Sequence, residues 1–141
     1  ADPKIQLEQA ILEAQEQHRR LKEQAANVIA NQKQTEMQLD KKLAELEKVS
    51  ANARQAVLMA DEANATGNAA KTTEYTQAAE AFANRLIALE REVEGLKTLA
   101  LSSAQASDQA KAAVQQNSAA LQAKLAALRL PGMPALSAHN H

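Results

Sequence analysis

A chain of 141 residues with 16 basic and 17 acidic side chains, net charge −1, lacks the concentrated basic face that nonspecific binding to phosphate backbones needs, so no direct nucleic-acid partner is expected. One Phe, one Tyr and no Trp give little bulk for a compact core, and the absence of Cys rules out disulfides, thiolate zinc sites and cysteine nucleophiles. Ala, Gln, Leu, Glu and Lys dominate, all favourable or tolerable in helices, and no apolar run approaches the roughly 20 residues that span a bilayer.

The first element opens at Asp2, a helix N-cap, with Pro3 at the first helical position, where its missing N–H costs nothing. From there Leu7, Ile11, Ala14, His18, Leu21, Ala25, Val28, Gln32, Thr35 and Leu39 follow alternating four- and three-residue steps, the spacing of a coiled-coil seam. Leu39 to Leu43 is a second four-step in succession, which predicts an eleven-residue insertion over Gln32 to Leu43 before Leu46, Ser50, Ala53, Val57 and Ala60 resume the pattern. Thr66-Gly67-Asn68 ends this arm: Gly67 can take the left-handed conformation and Asn68 can cap the second helix.

The second arm keeps its seam through Tyr75, Ala79, Phe82, Leu86, Leu89, Val93, Leu96, Ala100, Ser103, Ser107, Ala110, Val114, Asn117, Leu121, Leu125 and Leu128. The expected fold is all-α, a long antiparallel two-helix coiled-coil hairpin over residues 1–130, with arm one at 2–66, the turn at 66–68 and arm two at 68–130. At 1.5 Å per residue, arms of roughly 60 residues would reach about 90 Å. Leu130-Pro131-Gly132-Met133-Pro134 stops the second helix, and residues 131–141 read as a disordered tail. The start at a helix cap without Met suggests an excised piece of a larger protein.

Charge along the arms reads as solvated faces. Arg19, Arg20 and Lys22 alternate with Glu16 and Glu23 at helical pairing distances, and Glu90, Glu92 and Glu94 interleave with Arg91 and Lys97. No catalytic residue, metal ligand or cofactor site is expected. The Glu-x-x-His test for a di-iron bundle fails because Gln15 stands three before His18, and His139-Asn140-His141 has no supporting shell. Folding the arms about Gly67 sets residue n opposite about 134 minus n. His18 therefore falls near Asn117, and Gln32 and Thr35 fall near Ala100, Ser103 and Ser107. These polar seam layers are expected to fix register at a cost in stability, and the stretch around 30–36 and 99–107 to open more readily than Leu86 to Leu96.

Apolar residues off the seam, Leu12, Ile29, Met37, Leu58, Met59, Ile87, Leu99 and Leu101, either widen the core stripe or meet a partner. Leu58 and Met59 near the turn, with Ile29 and Ile87, are the candidates for partner binding or self-association.

Ala53-Arg54-Gln55-Ala56-Val57 through Gly67, then Tyr75 and Ala78-Ala79-Glu80-Ala81-Phe82, together with the Asp2-Pro3-Lys4 opening, resemble the phage shock protein A family, whose relatives include the vesicle-inducing protein of plastids. The resemblance covers residues 2 to about 126 and is nearest to the actinobacterial-type branch. Asn68-Ala69-Ala70-Lys71-Thr72 departs from the Glu-Asp-Leu-Ala-Arg-like stretch of many members, so contacts made by that stretch do not transfer.

The resemblance implies an ESCRT-III-like core hairpin of a non-enzymatic envelope-stress effector. Such a hairpin restrains a transcriptional regulator, and the full-length protein assembles with itself on anionic membrane, peripheral at the inner face of the cell membrane in the cytoplasm. Members carry an amphipathic membrane-binding helix before the Asp-Pro and further helices after the hairpin. Without them the chain is expected to be a monomer or weak dimer with little polymerisation. A generic coiled-coil spacer and a lipid binder that opens its hairpin are the alternative readings.

Overall fold

A computed structural model describes residues 2–128, and the expected tail at 131–141 lies outside them. Two helices account for the described chain, α1 (Pro3–Ala65) and α2 (Ala69–Leu128), packed against each other as a helical hairpin with no strand among the described residues. Asp2 caps α1 by accepting the Lys4 N–H on Oδ1 at 3.0 Å, and its backbone oxygen takes the Gln6 N–H at 3.2 Å.

The turn uses both ends of its sequence. Gly67 sits at φ 73°, where a side chain would strain, and the Gly67 and Asn68 N–H groups return to the carbonyls of Asn64 (3.1 Å) and Ala63 (2.9 Å). This paired closure satisfies carbonyls that the end of α1 would otherwise leave open. Asn68 then starts α2: its Oδ1 accepts the Lys71 N–H at 3.1 Å and its carbonyl takes the Thr72 N–H at 3.0 Å.

The hairpin divides into two compact units. The terminal unit packs α1 up to Lys33 against α2 from Ser102 onward. Ile11, His18, Ala25, Ser103, Ser107, Val114 and Leu121 are buried there, and Leu7, Ala14, Leu21, Val28, Ala110, Asn117 and Leu125 are half-buried beside them. The turn unit is Gln34–Leu101, with Thr35, Ala56, Ala63, Leu89 and Val93 buried.

In the turn unit the first-arm seam runs through Leu39, Lys42, Leu46, Val49, Ala53, Ala56, Ala60 and Ala63, all at least half-buried. The steps alternate three and four throughout, so the eleven-residue insertion expected over Gln32 to Leu43 is absent. Leu43 and Val57 lie one residue off the seam, 37% and 49% exposed, and the Ser50 hydroxyl accepts a hydrogen bond from Arg54 on its own helix at 3.1 Å. The physical reason is Lys42. Its aliphatic stem fills a seam position while its ammonium reaches the Glu92 carboxylate of the other arm at 2.9 Å, so an apolar-only count passes over it.

Candidate interaction surfaces

Among the described residues no group of three or more His, Asp or Glu side chains is placed to hold a metal, and no helix is long and apolar enough to cross a membrane. The described residues offer buried polar groups, charge pairs between the arms, and apolar side chains left on the outside.

In the terminal unit, the His18 ring lies on the seam and its Nδ1–H donates to Oδ1 of Asn117 at 2.8 Å. The seam brings these two together from opposite arms, and the bond requires the proton on Nδ1. Earlier on α2, the Ser107 hydroxyl is fully buried and has no hydrogen-bond partner among the described residues. Among the described residues the ion pairs of this unit stay within α1. Glu16 meets Arg19 at 2.6 Å and Arg20 at 3.4 Å, and the Arg19 guanidinium, with Arg20 beside it, holds the Glu16 carboxyl down at about 2. Arg19 also meets Glu23, one turn on, and stays charged throughout.

The turn unit differs. Lys42 and Glu45 on α1 face Arg85 and Glu92 on α2, with contacts of 2.9 Å for Lys42–Glu92, 2.6 Å for Glu45–Arg85 and 3.8 Å for Arg85–Glu92. The Arg85 guanidinium pulls the Glu45 carboxyl below its usual range, and Glu92 raises Lys42. Glu92 thus belongs to a link between arms and not to a purely solvated face. The signal was present in the sequence, because reflection about the turn sets residue 42 opposite residue 92. At the start of α2, Lys71 pairs with Glu74 at 3.1 Å and sits 5.9 Å from the centre of the Tyr75 ring.

The candidate contact residues separate by burial. Leu58 is 62% exposed and Ile87 52% exposed, both in the turn unit. Met59 and Ile29 are half-buried along the flank of the seam, where they widen the packed stripe. Gln32 is half-buried in the terminal unit and Thr35 buried in the turn unit. Met37, Leu43, Leu99 and Leu101 are further exposed apolar side chains of the turn unit.

Residues 1–130 match the PspA/IM30 family. Over 126 residues the chain is 54% identical to the PspA protein of Mycobacterium tuberculosis strain H37Ra, and equally to that of strain H37Rv, covering 89% of this chain and 47% of each relative. The chain therefore spans about half the length of the curated relatives it matches. No solved structure matches it.

Proposed function

Because the chain belongs to the PspA/IM30 family, we propose that its hairpin serves an envelope-stress response by binding and restraining a transcriptional regulator, and that the full-length protein adds membrane-supporting assemblies at the inner face of the cell membrane. The observation that carries the reading is the extent of the family match, which takes in both arms and the turn together. The regulator meets the outer face of the turn unit, where Leu58 and Ile87 stand exposed, and Met59 supports Leu58 from the flank. Large apolar side chains on a helix surface lose water only when a partner covers them, so they are the natural anchors of such a contact.

Recognition by contact fits a hairpin whose interior is filled by its own seam. The polar layer of His18 and Asn117 keeps the arms in one register, and the cap pair Gly67 and Asn68 sets where the second arm begins. Together they hold the outer residues in a fixed spacing for a partner to read.

The test is transcription from an envelope-stress promoter in a bacterial host that makes this chain. Wild type lowers reporter output, and Leu58→Asp with Ile87→Asp restores it while far-UV helicity is unchanged. Equal reporter output with and without the wild-type chain would overturn the proposal, and equal repression by the double variant would move the contact elsewhere on the hairpin.

A further inference from the structure

We propose that the terminal unit holds a groove for a single-chain anionic amphiphile, a free medium-chain carboxylate or sulfate. The groove has a volume of about 470 Å³ and is lined from both helices, by Lys22, Ala25, Ala26 and Ile29 of α1 and by Lys111 and Val114 of α2. Ala25 and Val114 are buried seam residues and form its floor. Alanine at 25, 26 and again at 30 leaves open the space that larger side chains would fill.

Its charge is one-sided. Lys22 and Lys111 belong to no ion pair among the described residues, and no carboxylate lines the groove. Lys22 follows His18 by one turn on α1, and Lys111 precedes Asn117 by six residues on α2. The antiparallel contact between His18 and Asn117 therefore sets the two ammonium-bearing residues at nearly the same level. From that level the lining continues along α1 to Ile29 and Ala30, about 12 Å at 1.5 Å per residue, with no further charge.

Two lysines beside a floor of alanine, isoleucine and valine match a charged head with one chain attached. The volume lies within the range of small-ligand sites, roughly 300–1,000 Å³. A docked protein helix would need anchors spaced over several turns, whereas the lining extends only from residue 22 to residue 30 of α1. The site is separate from the exposed apolar residues assigned above to the regulator, which lie in the turn unit.

Calorimetry of the 141-residue chain with decanoate and with decyl sulfate, below micelle formation, tests it. Both anions should bind one to one, with decyltrimethylammonium weaker by about tenfold, and amide chemical-shift changes should group at the lining residues. Lys22→Gln with Lys111→Gln should cost about tenfold in affinity for both anions. Ala26→Glu, at an exposed helical position, should do the same by bringing a carboxylate to the lysines. Equal binding of anionic and cationic amphiphiles, wild-type affinity in the lysine double variant, or association with anionic vesicles but not with free decanoate would each overturn the proposal. Should Ala26→Glu lower helicity, the lysine pair decides alone.

Discussion

The terminal unit and the turn unit hold the same two helices together by different means. The first puts polar groups inside: His18 and Asn117 meet on the seam, and Ser103 and Ser107 are buried earlier on α2. The second buries Leu89 and Val93 with Thr35 as its buried polar side chain, and places its charged groups at the margin, where Lys42 and Glu45 reach Arg85 and Glu92. A buried hydrogen bond is directional and penalises every other register, since a shifted arm leaves each polar group unpaired away from water. A marginal ion pair tolerates displacement because water can replace either partner. The terminal unit should therefore specify alignment, and the turn unit should supply more of the cohesion.

The sharpest way to break this contrast is to truncate one side chain in each unit. Leu89 is fully buried, and Leu89→Ala should destabilise the hairpin by about 3 kcal/mol in urea melts through lost burial and the cavity left behind. Asn117→Ala should cost about 2 kcal/mol, most of it the penalty of leaving His18 Nδ1 without its acceptor. Replacing both, His18→Leu with Asn117→Leu, should recover that loss and go beyond it, yet permit more than one alignment of the arms. Paramagnetic labels on the two arms would report this as a broadened distance distribution. A single narrow distance in the double variant would remove the polar layer from its register role.

A smaller effect of opposite sign belongs to Ser107. Its hydroxyl is buried without a partner, so Ser107→Ala removes a desolvated polar group and favours the helix, and should stabilise the chain by about 1 kcal/mol. A destabilised variant would mean that the hydroxyl is held by something other than protein groups.

Much of this architecture is legible from spacing and caps, and the part that is not has an identifiable cause. Periodicity marks both arms, because a two-helix coil has only one place to bury its apolar residues. Asp2, Gly67 and Asn68 mark the ends, because capping depends on local chemistry. Reflection about the turn places His18 by Asn117. Lys42 escapes, since a lysine scores as surface although its four methylenes can lie on a seam, and skipping it shifts the reading to Leu43, Ser50 and Val57. The charge pairs between arms are missed for the same reason: alternating charges within one helix look self-sufficient until the opposite arm is laid beside them. The groove between Lys22 and Lys111 is illegible as well, because it consists of space left by alanines.

The smallest expected effect is electrostatic and separates the units by pH. Glu16 and Glu45 both have folded-state values below the ordinary 4.5, so each contributes stability above that value and loses it as the pH falls through the folded one. For Glu16 the loss is complete only below about 2, and its partners lie on the same helix, so its protonation loosens one turn of α1 and leaves the arms together. Glu45 pairs across to Arg85, so its protonation removes a link between arms. Acidification should then perturb Arg85 and Lys42 in the turn unit. Residue-resolved carboxyl shifts give the two titrations. Glu92→Gln, which weakens both Lys42 and Arg85 contacts, should lower the melting temperature slightly in low salt and not at all in molar salt, where the screening length falls to about 3 Å. An unchanged melting temperature in low salt would mean that the marginal pairs add nothing to cohesion, and the turn unit would rest on its apolar seam alone.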